Sequence, residues 1–331
     1  MRILIRLLFL AIFSVILLVG WFYLHIHSSI RLTTTPFQFS ISPGSNLKQV
    51  SQQLEDAGVI HSKWSLILLA RYLDRESAIK AGDYQLDSTL TQIALLDYLT
   101  KGDAKQNAIQ FIEGWTFNQL KKTLRAYPNI QHDIGELTEQ EILHQIGATE
   151  TTAEGLFFPD TYFFIKGDSD IHILRRAYQA MQTHLQHTWH SRSEGLPLAT
   201  PYEALILASI IEKETGTASD RAEIAGVFIN RLRKGMKLQT DPTIIYGLGD
   251  QFDGNLRKKD LLADQAYNTY TRAGLPPTPI ALPSLASIRA ALNPAETDAL
   301  YFVAKGNGES EFSTNLADHN KAVDKYQKQQ K

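Results

Sequence analysis

Two stretches of the chain are almost unbroken apolar runs, and they end differently. Leu7 to Leu24 is interrupted only by Ser14 and Gly20, apart from the interfacial Trp21 and Tyr23. A bilayer is crossed by roughly 20 predominantly apolar residues, and with Ile3 to Ile5 this run is long enough. Arg2 and Arg6 precede it and Trp21, Phe22 and Tyr23 close it. The positive-inside rule therefore predicts a cytoplasmic N-terminus at 1–6, a transmembrane helix at 7–25 and the rest of the chain outside. A cleaved signal peptide is the competing reading; the run exceeds a typical signal h-region and no clear small-x-small site follows it. The second run, Ala204 to Ile211, is too short to span and reads as a helix buried on most sides. It ends in two carboxylates, Glu212 and Glu214.

Between these runs the periodicity alternates between strand and helix. Residues 26–36, with Ser28, Ser29 and Thr33 to Thr35 before Pro36, have linker composition. Phe37, Phe39 and Ile41 alternate with polar positions as a half-buried strand does. Ser45 or Asn46 can cap a helix with Leu47, Val50 and Leu54 on one face and Gly58 beyond its end. A helix at Lys63 to Leu73 and a strand at Lys80 to Leu86 follow. The capped-helix pattern recurs: Ser88 and Thr89 precede Leu90, Ile93, Leu96 and Leu99, and Thr116 precedes Phe117, Leu120 and Leu124. This order of elements over 37–112 resembles the small LysM-like module found beside the membrane anchor in some cell-wall proteins. The remaining 113–331 predicts a larger mixed domain with its connecting region, so the fold class is α+β.

In that larger part, a connecting helix is predicted around Leu137 to Ile146. Glu154 to Gly167 is dense in aromatics, and period two would place Phe157, Pro159, Thr161 and Phe163 on one face and Phe158, Asp160, Tyr162 and Phe164 on the other. Such rings either fill a core or stack on sugars. A helix follows at Asp170 to His190, then the buried run, then a helix at Arg221 to Arg233 burying Ile224, Val227, Phe228 and Leu232. Asn230 and Arg231 ride near its buried face and need partners there; Glu214 is one candidate for Arg231. Asp241 and Pro242 are a usual cap and first turn, which leaves Gln239 and Thr240 unexplained. Tyr267 to Ser284 is too rich in Pro and Gly for regular structure and too long for a turn, as functional loops often are. Ala299 to Ala304 and Ser310 to Thr314 flank Gly306-Asn307-Gly308 as a hairpin, and Asn315, His319 and Asn320 begin a polar helix.

Composition narrows the function classes. The 331 residues are 44% hydrophobic and 21% charged, enough for a sizeable core. A formal charge of -2 gives no phosphate-binding signal, so no nucleic acid partner is expected. Cysteine is absent, which excludes thiol catalysis and cysteine-ligated metals. His184, His187 and His190 lie at helical spacing without an acidic neighbour in sequence, and read as a surface stripe; no metal and no cofactor are assigned.

The chemistry concentrates at Glu212 and Glu214. Glu212 continues the apolar stripe of Leu205 and Ala208, and a carboxyl group in apolar surroundings near a helix C-terminus should hold its proton, as a general acid must. Two solvated glutamates on a last helical turn are the alternative.

The blocks ASIIEKETG, VFINRLRKGMKLQTDPTIIYGLG, YNTYTRAGLPP and YFVAKGNGESEFSTNLADHNKAV resemble the endolytic murein transglycosylases, the YceG-like family, over most of the chain. The resemblance implies a membrane-anchored lytic transglycosylase of peptidoglycan glycan strands, outside the cytoplasmic membrane of a bacterium, with peptidoglycan synthases as possible partners. It places the catalytic glutamate on the ASIIEKE block, at Glu212. Gln239, Thr240, Asp241, Asn268 and Tyr270 are the implied lining of the glycan cleft, with Glu214 and Arg231 in support. The implied chemistry cuts the bond between N-acetylmuramic acid and N-acetylglucosamine and closes a 1,6-anhydro ring. Two other readings stay open: a catalytically silent glycan-binding scaffold, and a hydrolase that uses water with Asp241 or Glu214 as second carboxylate.

Overall fold

The structure is a computed structural model that describes residues 37–328, except 43, 87–89, 102–106 and 165, together with scattered positions between 13 and 32. Most of the apolar run Leu7 to Leu24 lies outside the described residues, as do the caps expected at Ser88 and Thr89. Among the described residues, no helix is long and apolar enough to cross a membrane. The chain divides into two compact units, 1–108 with 163–168, and 109–162 with 169–331. The six-residue return of the chain to the first unit is not foreseen by a boundary at 112.

The first unit is built on strands β1 (Phe37–Ile41) and β2 (Gly82–Leu86), paired antiparallel with Phe39 opposite Tyr84. Helices α1 (Leu47–Asp56) and α2 (Lys63–Tyr72) lie between them in sequence, and α3 (Gln92–Lys101) follows. Asn46 caps α1 in a full capping box with Gln49, and Gly58 sits beyond the helix at φ +70, where a Cβ would be strained. For α3 the observed side-chain bond at the start comes from Thr91, whose Oγ1 accepts the Ala94 N–H at 3.2 Å. The linker reading fails for part of 26–36. Ile26 and Ile30 are buried in this unit's core, Ile30 N–H donates to Leu90 O at 2.6 Å, and Ser29 bridges Thr91. Two isoleucines one helical turn apart had more apolar surface to bury than the neighbouring Ser and Thr signalled.

The second unit takes its order from α4 (Phe117–Ala126), α5 (Glu139–Ile146) and the long α6 (Asp170–His190). Thr116 and Thr138 each form a capping box, with Gln119 and Glu141. The chain crosses between units within β3 (Asn107–Gln110) and β4 (Thr161–Phe164). In β4 Tyr162 and Phe164 are buried and Thr161 and Phe163 exposed. Phe157 and Pro159 are buried with the core, so the expected face shared by Phe157, Pro159, Thr161 and Phe163 does not exist. The alternation holds only inside the strand, because the preceding turn at Gly155, φ +78, is pressed against Pro279, leaving no room for a Cβ. Most of the aromatic stretch is core. Phe157 stacks on Phe117 at 5.2 Å, and Phe158 packs on His184 at 4.3 Å, which gives one residue of the histidine stripe a packing role.

At the centre lies α7 (Pro201–Glu214), capped by Thr200 with Pro201 in its first turn. All eight residues from Ala204 to Ile211 are buried. They pack against α11 (Leu285–Leu292), α6, α8 (Ala218–Arg233) and α9 (Asp241–Leu248), which the short α10 (Lys258–Leu262) follows in the chain. Part of the Pro-rich segment belongs to this core rather than to a surface loop. Ile280, Ala281 and Leu282 are buried, the Ile280 N–H donates to Ser209 Oγ at 3.0 Å, and Leu282 exchanges backbone bonds with Gly114 and Trp115. Prolines suit such a strap because they remove backbone donors that burial would orphan. The chain closes with the hairpin β5 (Tyr301–Ala304) and β6 (Ser310–Ser313) and helix α12 (Leu316–Val323), capped by Asn315.

Candidate active site

The last turn of α7 sends its two glutamates to different places. Glu212 Oε2 accepts both the backbone N–H and the hydroxyl of Ser284, at 2.9 and 2.5 Å. Ser284 is the N-cap of α11, so Glu212 sits where unpaired helix N–H groups and the helix dipole bind a carboxylate. Its carboxylate ties two helices together.

Glu214 enters a cleft of about 490 Å³ lined also by Arg231, Gln239, Asp241, Tyr270, Tyr301 and His319. Its Oε1 accepts the hydroxyl of Thr240. Burial pushes the Glu214 carboxyl up to about 7; the Thr240 hydrogen bond opposes this, the nearby Asp241 charge adds to it, and Arg231 opposes it. Helical spacing correctly puts Glu212 in line with Leu205 and Ala208, but Ser284, far away in sequence, supplies it with donors.

Three of the five expected lining residues, Gln239, Asp241 and Tyr270, stand around Glu214, and Thr240 holds it. Gln239 has φ +50, a left-handed backbone uncommon for a residue with a side chain. This turn hands its N–H to Thr269 O at 3.1 Å and sends the following Thr240 hydroxyl to Glu214. Thr240, Thr243 and Thr269 form a buried hydroxyl cluster, with Thr243 and Thr269 Oγ1 2.9 Å apart, that locks the turn. Asp241 accepts the Tyr270 hydroxyl at 2.6 Å, and burial followed by that bond pushes the Tyr270 phenol up.

Asn268 is not a lining residue of this cleft. It is fully buried, its amide donates to the carbonyls of Asp260, Leu261 and Ala263, and its oxygen accepts the Tyr270 N–H. A loop turning back on itself leaves carbonyls without partners, and the two amide hydrogens of one asparagine are shared among three of them. Arg231 does not pair directly with Glu214 either. Its guanidinium donates to the carbonyls of Leu300 (2.7 Å), Leu238 (2.8 Å) and Lys237 (3.3 Å) and lies over the Tyr301 ring. It acts on Glu214 through charge, while Asn230 donates to the carbonyls of Thr297 and Ala299.

Two features escaped the sequence reading. Glu154 is buried, accepts the Phe117 N–H and the Tyr246 hydroxyl at 3.0 and 3.1 Å, and burial pushes its carboxyl up to about 7. It joins the start of α4 to α9, the helix that opens with Asp241. His319 and Tyr301 complete the cleft, and only the polar cluster near His319 hinted at it. Among the described residues, no group of acidic and histidine side chains could hold a metal ion.

A carboxyl group whose proton affinity burial raises, at the end of a buried helix and beside a polar and aromatic cleft, is a candidate general acid. The chain belongs to the YceG-like family, whose model matches residues 39–325. It is 33% identical over 322 residues to an endolytic murein transglycosylase of Bacillus subtilis (strain 168), covering 88% of this chain and 85% of that protein. An endolytic murein transglycosylase of Streptococcus pneumoniae (strain D39) is 29% identical over 86% of this chain, which spans 57% of the length of that relative. The crystal structure of a yceG-like protein from Listeria monocytogenes superposes with a TM-score of 0.54 at 29% identity, over 86% of this chain and 98% of that one.

Proposed function

We propose that the chain is a lytic transglycosylase of peptidoglycan in which Glu214 is the general acid and then the base. The observation that carries this reading is the place of the Glu214 side chain on the cleft, where burial raises its proton affinity, while Glu212 Oε2 is taken up by two hydrogen bonds at a helix cap. The protonated Glu214 gives its proton to the glycosidic oxygen between N-acetylmuramic acid and N-acetylglucosamine, and the bond from C1 to that oxygen breaks. The resulting carboxylate removes the proton of the muramyl C6 hydroxyl, whose oxygen bonds to C1. The 1,6-anhydro product forms without water, and Glu214 ends protonated as it began. Holding the hydroxyl on the same ring gives it a high effective concentration. Gln239, Asp241 and Tyr270 line the strand's path.

The anchor belongs to the same proposal. The apolar run Leu7 to Leu24 holds the enzyme in the cytoplasmic membrane with the chain beyond it outside, near newly made strands and the synthases that extend them. The small unit serves as a LysM-like contact to glycan.

Digestion of purified murein with the full-length protein in detergent tests the reading by mass spectrometry. Anhydro-muramyl ends are expected from wild type and Glu212→Gln and none from Glu214→Gln; activity retained by Glu214→Gln sinks the assignment. A second reading draws on Asp241, whose charge reaches Glu214 across the cleft. With water as nucleophile that pair would leave reducing ends instead.

A further inference from the structure

His319 sits on α12 with its ring stacked on Tyr301, centroids 5.2 Å apart and planes at 26°. Its side chain lines the same cleft as Glu214. Nδ1 is buried without a hydrogen-bond partner, and among the described residues the ring makes no hydrogen bond through its other nitrogen, which is not buried. A buried N–H without an acceptor is rarer than a buried lone pair without a donor. The proton of the neutral ring therefore belongs on Nε2, on the accessible side. Protonating the ring would create a second, orphaned N–H at Nδ1 beside Arg231, and both burial and the Arg231 charge hold the imidazole below its ordinary pKa. The ring is an uncharged donor fixed by stacking, with no protein acceptor of its own.

Around it the cleft mixes aliphatic side chains with the polar Ser310, Asn320 and Gln327. Val303, Ala304, Leu316 and Val323 line it alongside His319. An uncharged donor beside small aliphatic side chains fits a ligand group with a carbonyl oxygen and an adjacent methyl. We infer that His319 is a specificity-determining residue whose Nε2–H binds the carbonyl of a 2-acetamido group on the glycan, with the acetyl methyl against Val303, Leu316 and Val323. The inference rests on the transglycosylase reading for the identity of the strand, since every sugar of such a strand carries this group. It adds a recognition element separate from the acid.

The test compares wild type, His319→Phe and His319→Gln as full-length proteins on N-acetylated murein and on murein chemically freed of its N-acetyl groups. Phe keeps a ring to stack on Tyr301 and removes the donor; Gln restores an N–H. Wild type is expected to release anhydro ends from acetylated strands at least about tenfold faster than from deacetylated ones, the size of one hydrogen bond and its methyl contact. His319→Phe should lose most of that preference by slowing on acetylated strands alone, and Gln should recover part of it. A preference unchanged in His319→Phe overturns the inference, as does one that follows removal of the peptide stems by an amidase instead of removal of the acetyl groups. Calorimetric binding of N-acetylglucosamine oligomers against glucosamine oligomers runs beside it. If no strand yields anhydro ends, the transglycosylase reading fails alone, and the binding preference and its loss in His319→Phe still decide the role of His319.

Discussion

Glu212 and Glu214 are two residues apart on one helix turn, and their surroundings have opposite chemistry. Glu212 is held by a backbone N–H and a hydroxyl at the start of α11, and strengthens the packing of two helices. Glu214 has one hydroxyl donor, a cationic neighbour without direct contact, and a cleft in front of it. Hydrogen-bond donors at a helix N-terminus favour the ionised form of a carboxyl group, and loss of water favours the protonated form. The difference is made by partners distant in sequence, since one turn of helix separates only directions.

The comparison breaks most sharply by exchange to glutamine. Glu214→Gln should lower the rate of anhydro-end formation by about 10²- to 10⁴-fold with the fold retained, measured by product analysis and circular dichroism. Glu212→Gln should leave that rate within about threefold and lower stability by about 1–2 kcal/mol, because a neutral amide weakens the bond to the cap of α11; urea denaturation reads it. Equal rate losses in both variants would show that the two surroundings do not divide the work.

A stability effect of similar rank concerns a buried acid outside that contrast. Glu154 has its carboxyl raised in the folded protein above its unfolded value, so its favourable contribution is fully present below about pH 4.5 and is lost as pH rises through about 7. Glu154→Gln should flatten the fall in melting temperature between pH 5 and 8 that wild type shows, a difference of about 3 kcal/mol at most. Identical melting profiles would mean that the site admits water.

Thr240→Val sharpens the comparison with a smaller effect. It removes the hydrogen bond that holds the Glu214 carboxyl down, so the pH at which the protonated acid is lost, near 7 in wild type, should move upward. Because the acid works protonated, the alkaline limb of the pH–rate profile should shift to higher pH, with little change at pH 5. A shift in the acidic direction would contradict the role of Thr240 as donor to Glu214.

Local structure was well legible in the chain. The strand at Phe37, a cap at Ser45 or Asn46, the Thr116 cap, the whole of α6 and the closing hairpin follow from period, capping and turn chemistry, which are local signals. The site was legible as a set of residues, with Gln239, Thr240, Asp241 and Tyr270 brought to one place. Its internal roles were not. Asn268 resembled cleft chemistry and proved a brace for three carbonyls, and Arg231 resembled an ion-pair partner and proved a binder of backbone oxygens. A polar residue type fixes what bonds it can make, not which groups folding will leave needing them.

By itself, the sequence determined that α7 would be a buried helix ending in two carboxylates, because eight successive apolar or small side chains admit little else. Only the tertiary structure gave the two carboxylates different surroundings. Ser284 arrives from the cap of α11 to bind one, and the left-handed turn at Gln239 brings Thr240 and the cleft to the other. A carboxyl's proton affinity depends on the water and donors within a few ångströms of it, and those are assembled by contacts that helical periodicity does not encode.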